Sequence, residues 1–76
     1  MKKKHRKSAF VICVRNRGYK ASLELRKIYQ ALADAEGEAH DLIRVIDESG
    51  EDCLYPASFF LPIQLPAPVE RALSAA

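Results

Sequence analysis

Tryptophan is absent from this 76-residue chain, glycine and cysteine occur only three and two times, and no acidic residue precedes Glu24. Each shortage removes a class of protein. Cys13 and Cys53 are too few, too far apart and too remote from any Cys-x-x-Cys pair to make the disulfide framework of a small secreted scaffold. They read as reduced thiols packed like small apolar residues, with a bridge open to them only if their strands are neighbours. No apolar run approaches the roughly 18 residues that span a bilayer, and the basic start MKKKHRKSAFVICVRN lacks the hydrophobic stretch of an export signal. A cytoplasmic chain with no membrane association is expected. Ser22, Ser49 and Ser58 stand in no Gly-x-Ser-x-Gly setting, and His5 and His40 have no sequence-local catalytic partner. Cys13, His40 and Cys53 lack a fourth ligand and the close pair spacing of structural zinc. The expectation is a protein that is not an enzyme and holds no metal or cofactor.

What the chain does have is apolar and charged residues in globular proportion, 49% and 29%. A domain this small removes only roughly 60% of its unfolded surface from water, so a stable fold must use nearly every large apolar side chain. Charge is distributed unevenly. Lys2, Lys3, Lys4, Arg6, Lys7, Arg15, Arg17 and Lys20 fall in the first twenty residues, whereas the remainder holds four basic and ten acidic residues. Basic clusters release counterions when they meet phosphates, so the asymmetry points toward an anionic partner. Residues 1–8 alone read as a disordered basic arm.

AFVICVRN alternates and is rich in β-branched residues, with Phe10, Ile12 and Val14 on one face and Val11, Cys13 and Arg15 on the other: a first strand. NRGYKAS breaks the pattern at Gly18 and forms a loop carrying Arg15, Arg17, Tyr19 and Lys20. The next segment, SLELRKIYQALADAEGEAHDL, is ambiguous. Leu25, Ile28, Tyr29 and Leu32 recur at helical spacing, yet read by twos Leu23 and Leu25 share one face and Ile28, Gln30 and Leu32 another, after a bend at Arg26–Lys27. LIRVI and DCLY flank DESGED, which reads as a β-hairpin. Its acids, Asp47, Glu48, Glu51 and Asp52, lack the alternating ligand spacing of a calcium loop and read as a solvated turn. LYPASFFLPI follows: Pro56 stops regular pairing, PASFF fits one tight helical turn, and FLPI resumes an extended strand that must lie at an edge, because Pro62 has no ladder donor. Residues 66–76 form a short helix or tail, with Pro68 suited to a first turn.

Strand, basic loop, second strand, acidic hairpin, one helical turn and a terminal strand resemble the Src-homology-3 barrel. The residues that carry the resemblance are Leu54, Tyr55, Pro56, Ala57, Ser58, Phe59, Phe60, Leu61, Pro62 and Ile63, with ASLELRKIYQALAD standing where that family has its diverging turn and second strand. Arg26–Lys27 occupies the place where the family commonly has a basic residue and glycine. The resemblance implies an all-β, five-stranded barrel over residues 9–65, makes the ambiguous segment a strand, and leaves ALADAEGEA as a loop with room for a helical turn. Leu54, Phe60 and Ile63 are then the core candidates of the terminal motif.

Proline-rich peptide binding, the family's usual function, transfers poorly. Pro56 and Phe59 match groove positions, but Phe59 lacks a tyrosine hydroxyl, the usual indole is missing near His40–Asp41, and the loop that is acidic in peptide binders is basic here. Small barrels also serve as nucleic-acid and ribosome-associated modules. The first functional expectation is therefore a binding module for RNA, DNA or a ribonucleoprotein, with Arg15, Arg17 and Lys20 on phosphates and Tyr19 stacked on a base. The alternative is a protein-interaction adaptor whose surface comprises Tyr29, Tyr55, Pro56 and Phe59.

Overall fold

A computed structural model describes residues 8–74 of the chain, and the expected basic arm lies almost wholly outside them. The β-branched and aromatic runs form five strands, β1 (Ser8–Cys13), β2 (Ile28–Leu32), β3 (Leu42–Ile46), β4 (Asp52–Pro56) and β5 (Phe60–Ile63). A one-turn helix α1 (Ala35–Glu38) precedes β3, a 3-10 turn (Ala57–Phe59) joins β4 to β5, and helix α2 (Ala67–Ser74) follows. All strand pairs are antiparallel in a single sheet of order β4-β3-β2-β1-β5. No helix among the described residues is long and apolar enough to cross a membrane.

The register sorts the side chains by face. Val11 stands opposite Tyr29 and Pro62, Ala31 opposite Val45, and Val45 opposite Cys53. Because directly paired residues share a face, this set forms the inner surface. Val11, Cys13, Tyr29, Ala31, Val45, Tyr55 and Phe60 are buried there, and Leu23 joins them from the loop before β2. On the other face, Leu61, Ile12 and Ile28 lie in one row across β5, β1 and β2. Leu61 is 56% exposed in that row, while Phe10 nearby is buried and lines one groove with Leu73 of α2.

Several sequence expectations change in this frame. The helical spacing around Tyr29 is overridden by pairing: Ile28, Gln30 and Leu32 face outward from β2, and Tyr29 and Ala31 face inward. Leu23 and Leu25 do not share an environment, since Leu23 is fully buried and Leu25 is exposed. Leu54 is also exposed, because its partner Arg44 places it on the outer face; Ile63 is half-buried, and Phe60 alone of the three enters the core cluster. Cys13 and Cys53 are both free, on β1 and β4, which are not neighbours in the sheet.

Two backbone positions set the loops. Gly18 has φ +84°, at the third residue of a turn in which the Tyr19 amide donates to the Asn16 carbonyl at 2.8 Å. A left-handed residue is needed there, and glycine meets the need without steric cost. Arg26 has φ +62°, a left-handed conformation that non-glycine residues rarely adopt, at the bend before β2. The strand ladder holds it there, through an Arg26 amide to Cys13 carbonyl bond of 2.7 Å and a Cys13 amide to Lys27 carbonyl bond of 2.9 Å.

Candidate nucleic-acid interface

The chain leaves β1 at Cys13 and returns to β2 at Ile28, and the intervening loop folds on itself. The amides of Ser22 and Leu23 both donate to the Tyr19 carbonyl, at 3.0 and 2.9 Å. The Asn16 side-chain amide donates to the Leu23 carbonyl at 3.0 Å, which ties the two ends of this segment together. Leu23 thereby plugs the core, and residues 15–20 are raised to the surface. The Phe59 carbonyl accepts from the amides of Val14 and Arg15, at 2.7 and 3.3 Å, and so fixes the loop's first residues to the 3-10 turn.

These ties create an open groove of about 690 Å³ lined by Val14, Arg15, Asn16, Arg17, Gly18, Lys20, Leu25 and Phe59. Tyr19 stands against the same turn. Its ring meets Tyr55 edge-on at 5.0 Å between centroids and Phe59 at 6.0 Å, yet it remains 43% exposed. Edge-to-face packing of this kind orients a ring without covering its outer surface. Arg15, Arg17 and Lys20 form no ion pair with any described residue, whereas Lys27 is bound to Glu48 and Arg44 to Asp34 and Asp52. The groove therefore has an apolar floor of Val14, Leu25 and Phe59 and a rim of uncompensated positive charge.

Of the residues singled out in the sequence, Arg15, Arg17, Lys20 and Phe59 line this one groove, and Tyr19 adjoins it. The two sets expected to serve different partners thus meet at Phe59. Tyr29 and Tyr55 do not belong to an exposed aromatic patch. Only 5% and 3% of their surfaces are exposed, because both point inward from the sheet. Pro56 is half-buried, opposite Leu42 at the end of β4. Val14, Asn16 and Leu25 complete the lining. The one sequence signal for Leu25 is an apolar residue between the acid Glu24 and the bases Arg26 and Lys27, in a loop whose Leu23 already fills the core.

The acidic turn between β3 and β4 is not simply solvated. Asp47 is 7% exposed and accepts from the Tyr55 hydroxyl at 2.6 Å, from the Ser49 hydroxyl at 2.5 Å and from the Ser49 amide at 2.9 Å. The Ser49 and Tyr55 bonds hold its carboxyl below the ordinary range. Glu48 takes the Tyr29 hydroxyl at 2.5 Å and Lys27 at 2.7 Å, and these partners, Lys27 first, lower its pKa as well. Burial, followed by the bond to Asp47, pushes Tyr55 up to about 12, and burial likewise raises Tyr29 above the ordinary phenol range. No protein-family model, curated protein or solved structure matches this chain.

Proposed function

We propose that this chain is a small Src-homology-3-like module that binds single-stranded nucleic acid in the groove between the β1–β2 loop and the 3-10 turn. The observation that carries the reading is the convergence of Arg15, Arg17 and Lys20, without ion-pair partners among the described residues, on an apolar floor beside the exposed Tyr19 ring. Cations without internal partners are available to phosphates, and an exposed aromatic offers a stacking platform to any base. A single strand fits better than a duplex. Reading a major groove calls for an inserted helix or ribbon, and this groove is lined by the β1–β2 loop and the 3-10 turn, with no residue of α1, α2 or the β3–β4 ribbon among its lining. The likeness to the Src-homology-3 barrel is supported by the order of elements and by the 3-10 turn between β4 and β5. Proline-rich peptides are a poorer fit to a groove rimmed by bases and lacking tryptophan.

Fluorescence anisotropy with a short labelled single-stranded oligonucleotide tests the reading. The logarithm of affinity should fall linearly with the logarithm of salt concentration. Replacing Arg15, Arg17 and Lys20 together by alanine should reduce that slope by about 2, since each lost phosphate contact on a single strand removes roughly 0.7. An unchanged slope would refute the groove as the phosphate-binding face.

A further inference from the structure

Two buried tyrosines connect the loop that carries the groove to the acidic turn of the β3–β4 hairpin. The Tyr29 hydroxyl accepts from the Glu24 amide at 2.7 Å and donates to Glu48 at 2.5 Å. The Tyr55 hydroxyl donates to Asp47 at 2.6 Å, and the Tyr55 ring meets Tyr19 of the loop edge-on at 5.0 Å. Between these two bridges the Glu48 amide donates to the Ser22 carbonyl at 3.0 Å, and Lys27 closes the outer side on the Glu48 carboxylate. Each tyrosine thus meets the loop, Tyr29 through its hydroxyl and Tyr55 through its ring, and gives its own proton to one of two consecutive acids. Neither hydroxyl reaches the groove itself.

We infer that Tyr29 and Tyr55, with Asp47 and Glu48, are positioning residues that hold the β1–β2 loop in its ligand-ready shape. This rests on the reading of the groove as a nucleic-acid site. A loop already ordered loses less conformational freedom when a ligand docks, so affinity depends on the bridges although none of their atoms meets the ligand. The Asp47 and Glu48 carboxylates are turned to these hydroxyls and to Lys27, and Arg15, Arg17 and Lys20 form no ion pair with a described residue.

The test uses Tyr29→Phe and Tyr55→Phe, which remove the hydroxyl of each bridge without changing charge; both keep their rings in the core, so that each variant checks the other should one fold poorly. Backbone 15N relaxation reports order in the loop, and oligonucleotide titration reports affinity. Both variants should lower the order parameters of residues 20–26, toward about 0.6, while β1 stays near about 0.85. Both should bind the oligonucleotide roughly threefold to tenfold more weakly, with the salt slope unchanged because no phosphate contact is lost. A purely structural role would lower stability without loosening the folded loop. Loop order parameters equal to wild type in both variants would overturn the inference, as would a loosened loop with undiminished affinity. Failure of the wild-type chain to bind any oligonucleotide would refute the nucleic-acid reading instead, and relaxation alone would then decide whether the bridges hold the loop.

Discussion

Burial at single positions determines which substitutions this small domain tolerates. Leu23 and Phe60 are inside the core cluster, and Leu54 is on the outer face. Truncation to alanine should cost about 2–5 kcal/mol at Leu23 and about 3–5 kcal/mol at Phe60, against about 1 kcal/mol or less at Leu54. Urea midpoints of the three variants check the order. Phe60 is legible as a core residue because its aromatic ring begins a strand just after a helical turn. Leu23 is not, because its neighbourhood is polar and it reaches the core from a loop. Arg26 is the second residue-scale case. A non-glycine residue at φ +62° carries strain that glycine does not, of order 1–2 kcal/mol. Part of that gain is cancelled by the greater freedom of glycine in the unfolded chain. Arg26→Gly should therefore stabilise the fold by about 0.5–1 kcal/mol; a lower urea midpoint would contradict this account of the bend.

Elements differ in how plainly their residues announce them. The hairpin is legible but for its last residue: LIRVI and DCLY are bounded by a glycine-containing turn and become β3 and β4 with Gly50 at φ +85°, and β4 runs on to Pro56, paired with Leu42, where the proline leads one to expect pairing to stop. The last strand is equally plain between Phe60 and Ile63. The stretch between Ser22 and Ala39 is not, because its apolar residues satisfy helical and strand periods alike. Pairing of β2 with both β1 and β3 resolves it, and only the Ala35–Glu38 turn becomes helical, with the Asp34 carboxylate accepting from the Gly37 amide. The tyrosine bridges to the hairpin turn lie beyond sequence reading altogether, for they join residues brought together only by the sheet.

Those bridges give the stability a pH dependence with two limbs. Asp47 and Glu48 are held below their ordinary values of 3.8 and 4.5, so their contribution is present above those values and is lost as pH falls through the lower folded ones. Tyr29 and Tyr55 are raised from an ordinary 10.0, Tyr55 to about 12. Their contribution is present below pH 10 and is lost as pH rises toward and past 12, because unfolding then releases their protons. Urea midpoints should be flat through neutrality, fall below about pH 4 and fall again above about pH 10. Tyr55→Phe should blunt the alkaline limb. An alkaline limb of full size in that variant would show that Tyr55 titrates without coupling to folding.

At the scale of the whole molecule, one five-stranded sheet brings a basic loop to the same end as an aromatic turn separated from it in sequence. The basic character of the loop is legible in the charge asymmetry of the chain, and so is the aromatic character of the terminal run. Their meeting at Phe59 is not, since it depends on β1 lying between β2 and β5. The charge pattern then follows from pairing: Lys27 and Arg44 are paired with Glu48 and Asp52 of the hairpin and with Asp34, the N-cap of α1, and the groove cations have no ion pair with a described residue. The most direct measurement is an amide chemical-shift titration of the folded chain with a short mixed-sequence single-stranded oligonucleotide, carried to near-physiological salt. Persistent shifts at Arg15, Arg17, Tyr19, Lys20 and Phe59 are the predicted result. No shifts, or shifts confined to Lys2–Lys7 that vanish as salt is added, would contradict the assignment of this groove to nucleic acid.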